Sequence, residues 1–170
     1  MVLGSSPPAL PDGVTLRSIT QVEQLGEPLF AQIHRYLSED AYWSRGIPSE
    51  TLRRAINHSI SVVALEADGG ALAGFARVVT DRATYAYLCD VFVLPARQTQ
   101  GLAQAMMHAL DGHAELQGLR RWMLMTRDAH TLYARHGFTA LADATRAMER
   151  HNPTAYASAL TGPGPRGAVA

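Results

Sequence analysis

Apolar and polar residues alternate along VTLRSI, Val14–Ile19, which predicts a half-buried strand. The period then lengthens. Val22, Leu25, Leu29, Ile33 and Leu37 recur at helical spacing and predict one helix, with Pro28 near its start or kinking it. Tyr42, Trp43, Gly46 and Pro48 mark a loop, and Ser49 with Glu50 opens a second short helix through Asn57. Residues 61–66 and Leu72–Thr80 read as strands joined across Asp68-Gly69-Gly70, a strong hairpin signal. A second turn at Asp81-Arg82-Ala83 leads into a strand ending at Val93. Beyond it the pattern predicts a helix over 101–116, a strand over 121–125, a helix over 129–136, and terminal strands holding Phe138 and Ala147. The first dozen and last ten residues carry Gly, Ser and Pro without periodicity, which predicts mobile tails at 1–12 and 161–170 around one domain at 13–160.

A run of strands with helices early and late predicts an α/β fold with a mixed sheet rather than a uniform βαβ alternation. Composition agrees with one core: 170 residues, 47% hydrophobic, are enough to bury about 70% of the unfolded surface. Fifteen basic and fifteen acidic side chains balance, which argues against a nucleic-acid partner and gives no steering toward an acidic membrane. The single Cys89 excludes an internal disulfide, no stretch is apolar for long enough to span a bilayer, and no leader pattern opens the chain. A cytoplasmic protein is the expectation. Seven histidines show no metal-ligand spacing, and His34, His108, His113, His130 and His136 stand as singletons on helices, so no metal is expected.

The segment YLCDVFVLPARQTQGLAQAMM, Tyr87 to Met107, carries the most chemistry. Pro95 ends an apolar strand, and a short polar loop feeds a helix through Gly101 and Ala103. First-turn amides of a helix lack internal partners, and the aligned peptide dipoles add positive potential there, so such a start binds phosphate groups. Gln98, Gly101 and Ala103 in this setting resemble motif A of the GNAT acetyltransferase superfamily, [QR]xxGx[GA]. Further on, DAHTLYARHGF resembles the family's second signature, a Tyr on a short helix before a Gly-Phe pair. The resemblance implies a GNAT-type acyl-CoA N-acyltransferase fold, a mixed central sheet with helices on both faces, and acetyl-CoA as cosubstrate. In that family the motif A strand and the next parallel strand splay, and the cofactor's pantetheine arm fills the gap. By resemblance, backbone groups at Phe92 and Val93 hold the arm, and amides of Gln98, Thr99, Gln100, Gly101, Leu102 and Ala103 hold the pyrophosphate. Thr99 replaces a common glycine. Asp128 stands where many members carry a cofactor-touching asparagine; its local alternative is to cap the helix over 129–136.

Amine attack on a thioester needs a neutral nucleophile, a stabilised oxyanion and a proton for the departing thiolate. Tyr133 matches the family tyrosine that acts as general acid, a phenol near pKa 10 facing a thiol near about 8.5. Asp90 interrupts an apolar strand, so it is either a base or amine-orienting group, or half of a structural ion pair with Arg77. If the hairpin sets Arg77 opposite Tyr87, alternation sends Asp90 to the other sheet face, and a one-residue register shift reunites them. Tyr42 and Trp43 fall where the family builds part of its acceptor pocket, and they either line it or plug the core. Phe75 and Tyr85 are further acceptor candidates, with core packing the alternative for each. Cys89 has no basic neighbour to activate it, which argues against an acyl-cysteine route. The implied activity is direct transfer to the primary amine of a small molecule or peptide. The alternative is a non-catalytic acyl-CoA sensor, against which Tyr133 argues. Homodimers are common in the resembled family, so a homodimer is one assembly to expect.

Overall fold

The computed structural model describes residues 9–68 and 70–157; the tail expected at 161–170, most of the one at 1–12, and Gly69 of the first hairpin lie outside the described residues. Five strands, β1 (Val14–Ile19), β2 (Ser59–Glu66), β3 (Leu72–Thr80), β4 (Tyr85–Val93) and β5 (Arg121–Leu124), form one sheet in that order. Pairing is antiparallel from β1 to β4 and parallel between β4 and β5, so the sheet is mixed. The parallel pair requires a crossover, supplied by helix α3 (Leu102–Asp111). Helices α1 (Glu27–Arg35) and α2 (Ser49–Asn57) precede β2, and the short α4 (His130–Ala134) follows β5.

Both sheet faces are covered, which is why β2 is buried almost throughout instead of alternating. Val63, Leu65 and Phe75 face α1 and α2, where Phe30, Ile33, Leu52 and Ile56 pack. Ile60, Val62, Ala76 and Val78 face the other way, onto Leu102, Met106, Met107 and Leu110 of α3. Gly74 permits that approach, because an added Cβ would sit 3.0 Å from the Phe92 carbonyl and 3.1 Å from Met106.

Three sequence expectations change in detail. The helix expected from Val22 to Leu37 is broken: Val22–Gln24 forms a 3₁₀ turn, Gly26 takes φ +73°, and Pro28 sits in the first turn of α1. Its apolar positions still reach one core, because Val22, Leu25, Ile33 and Leu37 are all buried. The helix expected over 101–116 stops at Asp111, yet Leu116 is buried from a separate 3₁₀ turn. The terminal strands at Phe138 and Ala147 do not form among the described residues. Phe138 packs edge-on against Trp122, centroids 6.3 Å apart, and Asp143 caps a 3₁₀ turn by accepting from the Thr145 amide at 3.1 Å. That local bond competes with strand pairing, and Met148 is left 97% exposed, without a layer to pack on.

Candidate active site

The site grows from an irregularity in β4. Phe75 pairs with Phe92 and Arg77 with Cys89, so Ala76 opposes two residues, Asp90 and Val91. This is a β-bulge, and Asp90 takes φ +53° within it. Aspartate tolerates the left-handed region better than most residues, and its carboxylate is held on both sides. Oδ2 accepts from Arg77 Nε at 2.8 Å, and Oδ1 accepts from the Trp43 indole at 3.0 Å. Arg77 also donates to Ser59 Oγ at 2.9 Å. The hairpin register lies two residues from the expected one, with Arg77 opposite Cys89 and Val79 opposite Tyr87; that shift preserves the sheet faces, and the bulge then brings Asp90 to Arg77. The pair is nearly buried, with side-chain exposures of 12% and 7%.

On its other edge β4 parts from β5 just ahead of the bulge. Pairing of β4 with β5 runs from Tyr85 with Arg121 to Leu88 with Leu124 and ends there, while β4 continues to Val93. A cavity of about 390 Å³ lies past this parting, walled on one side by Val93 and the loop leading into α3, and on the other by Thr131, Leu132 and Arg135 of the α4 segment. The start of α3 lines it: Gly101 is the N-cap at φ +80°, no side chain caps the first turn, and Leu102, Ala103 and Gln104 all border the space. Thr99 is also left-handed, at φ +63°, and alternating backbone hands of this kind turn successive amides toward one point. A Cβ at Gly101 would meet nothing within 4 Å, so the glycine answers to φ alone. Gln98 crosses the floor and donates to the Val93 carbonyl at 3.1 Å. Arg97 anchors the loop to the end of β2 through both oxygens of Glu66, and the guanidinium holds that carboxyl below its usual range.

Tyr133 of α4 does not line this cavity; it is half-buried, packed on the layer of β4 and α3 and against Phe138 at 6.0 Å between centroids. Burial, reinforced by Tyr42 and Asp128, pushes its phenol up to about 12. Tyr42 and Trp43 are 51% and 43% exposed and pack edge to face, with the Arg127 guanidinium 4.2 Å over the Tyr42 ring. The loop after α1 is thereby bridged to the β4 bulge and to the segment before α4. Phe75 is fully buried against Phe92 in the α1–α2 core and presents no surface to a ligand. Phe92 stacks on Tyr36 at 3.9 Å, so only its backbone faces the opening. Tyr85 sits at the opposite end of the β4–β5 pairing from the parting. Asp128 does not cap α4: the helix begins two residues later, Thr126 Oγ1 accepts from the Ala129 amide at 3.0 Å instead, and Asp128 is exposed beside Arg127. Burial pushes the Cys89 thiol up to about 12, which removes a thiolate nucleophile.

The sequence reasoning overlooked the far wall, Thr131, Leu132 and Arg135. Its signal was available, because residues 131 and 135 are four apart on one helix face while Tyr133 lies between them. Among the described residues no three His, Cys, Asp or Glu side chains gather as a metal site, and no helix is long and apolar enough to cross a membrane.

Comparison with known proteins fits this geometry. The profile of the Acetyltransferase (GNAT) family matches residues 22–138. A Gibberella zeae protein described as a candidate acetyltransferase is 31% identical over 124 residues, covering 61% of this chain and 69% of its own. A crystal structure from Xanthomonas campestris pv. campestris, of a candidate acetyltransferase assigned to the GNAT family, is 42% identical with a TM-score of 0.76, covering 85% of this chain and 98% of that one. A Clostridium acetobutylicum acetyltransferase solved with acetyl-CoA shares the fold at a TM-score of 0.58 and 17% identity, over 81% of this chain and 96% of its own.

Proposed function

We propose, for a chain that belongs to the GNAT acetyltransferase family, that it transfers an acetyl group from acetyl-CoA directly to the primary amine of a small molecule or peptide. The observation that carries this is the opening between β4 and β5, faced by the uncapped first turn of α3. Residues and ligand fit: left-handed Thr99 and Gly101 expose amides for a diphosphate, and the unpaired edge of β4 offers backbone donors and acceptors to an amide-bearing arm. Gln98 would release the Val93 carbonyl to that arm. When bound, acetyl-CoA supplies the activated thioester.

The chain's own residues then divide the work. Tyr133 donates a proton toward the leaving sulfur. With its phenol at about 12 and a thiol near 8.5, the transfer is uphill by about 5 kcal/mol. That fits within the barrier of about 13–17 kcal/mol that ordinary turnover allows, and the proton lost by the acceptor nitrogen balances the one gained by sulfur. Asp90, with both oxygens already accepting hydrogen bonds, suits orientation better than proton abstraction: it fixes the Trp43 indole at the acceptor side. Exposed Tyr42 and Trp43 form the wall past which the amine enters.

Thiol release measured over polyamines, amino acids, aminoglycosides and peptides tests the reading. A responding amine fixes the acceptor class. Tyr133→Phe should bind acetyl-CoA as wild type does yet lose amine-dependent release by about 100-fold. Unchanged turnover removes Tyr133 from the mechanism, and silence over every amine with intact cofactor binding favours the sensor.

A further inference from the structure

The phosphates of acetyl-CoA bring roughly −3.5 to −4 charges at neutral pH, and the loop that meets them in the proposed reaction is uncharged at Gln98, Thr99 and Gln100. The helix start offsets only about half a charge. Among the described residues two cations border the cavity, Arg97 and Arg135. Arg97 is fully engaged elsewhere: Nε and Nη2 donate to the Glu66 carboxylate, and Nη1 to Gln100 Oε1 at 3.2 Å and the Asp12 carbonyl at 3.4 Å. Its charge is neutralised, and its donors point along the loop toward β2. Arg135 has no ion pair among the described residues and borders the cavity from the opposite wall.

We propose that Arg135 is the cation that holds a phosphate of the cofactor, so that cofactor affinity rests on a guanidinium outside the glycine loop; this rests on the acetyl-CoA reading above. The α4 segment is built to carry it. Thr131 and Arg135, four residues apart, both border the cavity, while Tyr133 between them packs on Phe138 and the layer of β4 and α3. His136 Nδ1 meets Asp111 Oδ2 of α3 at 2.6 Å, which fixes the end of α4 against the helix whose start faces the phosphates. One short helix thus positions the phosphate cation and the acid for the leaving sulfur together.

Calorimetric titration of CoA and of dephospho-CoA into wild type, Arg135→Ala, Arg135→Lys and Arg17→Ala tests it. Arg17 is exposed on β1, remote from the cavity, and controls for net charge. Arg135 is exposed at the end of α4, so its variants should fold with an unchanged melting midpoint. Arg135→Ala should weaken binding about 10- to 100-fold, the effect of losing charged hydrogen bonds. It should also flatten the salt dependence, and Arg135→Lys should recover part of both. Loss for both ligands assigns Arg135 to the diphosphate, and loss for CoA alone assigns it to the 3′-phosphate. Binding of both ligands within twofold of wild type, or an equal loss in Arg17→Ala, overturns the proposal. Wild-type protein that binds neither ligand removes the acetyl-CoA reading itself, and Arg135's assignment with it.

Discussion

Replacing Asp90 by alanine strands the Arg77 guanidinium, whose side chain is only 12% exposed and whose Nε points 2.8 Å from the lost oxygen. Removing one partner of a buried pair costs about 3–5 kcal/mol, and alanine at φ +53° adds about 1–2 kcal/mol of backbone strain. For a chain of this size each kcal/mol lowers the midpoint by about 2–4 °C, so the variant should melt about 8–28 °C lower. Asp90→Gly separates the two contributions, since glycine accepts the left-handed backbone and leaves only the unpaired charge. Arg77→Met combined with Asp90→Gly removes both charges and should cost less than the two single changes summed. Urea and thermal unfolding followed by circular dichroism measure wild type, Asp90→Ala, Asp90→Gly, Arg77→Met and the double variant. A loss below about 1 kcal/mol in Asp90→Ala, or strict additivity in the double variant, would refute the claim that this pair is a buried, mutually dependent unit.

Two further expectations follow from backbone hand and burial. Gly101→Ala should cost about 1–2 kcal/mol through φ alone, because its Cβ meets open space. The same change should weaken CoA binding by about 10-fold as the loop amides turn; a titration and melt both matching wild type would show that the hand at 101 is irrelevant. Cys89, raised from 9.0 to about 12 by burial, should alkylate about 100-fold more slowly than free cysteine at pH 8, after allowing for its more nucleophilic thiolate. Because its folded value is the higher one, the stability it contributes is present below its ordinary value and is lost as pH rises toward 12. Cys89→Ala should therefore flatten the alkaline limb of a stability profile, and an unaltered limb would contradict the burial argument.

Several elements were legible: β1 falls where alternation places it, β3 where the Asp68-Gly69-Gly70 signal sets it, and α2 spans Ser49–Asn57 as expected, although Pro48 and not Ser49 holds the N-cap position. The α3 start was legible because Gly101 and the preceding Pro95 leave the backbone few choices. What escaped depends on partners distant in the chain. No local pattern announces that Ala76 opposes two residues, or that the Trp43 indole reaches Asp90 from 47 positions away. Asp128 looked like a cap because residue type was visible and the helix boundary was not; the helix starts one residue later than expected, and Thr126 takes the bond to the Ala129 amide. Phe138 and Ala147 lacked a partner strand, and alternation without a partner specifies nothing.

The bulge in β4 can be weighed by imagining the chain one residue shorter. With Asp90 deleted, Leu88 and Val91 would still face α3, Cys89 would still oppose Arg77, and Phe92 would still oppose Phe75. Every remaining side chain of the strand would keep its side of the sheet, so the apolar packing of the two layers does not call for residue 90. What calls for it is polar: without its carboxylate the Arg77 guanidinium and the Trp43 indole lose their acceptor, and the shortened strand would run as an undistorted ribbon beside a stranded buried charge.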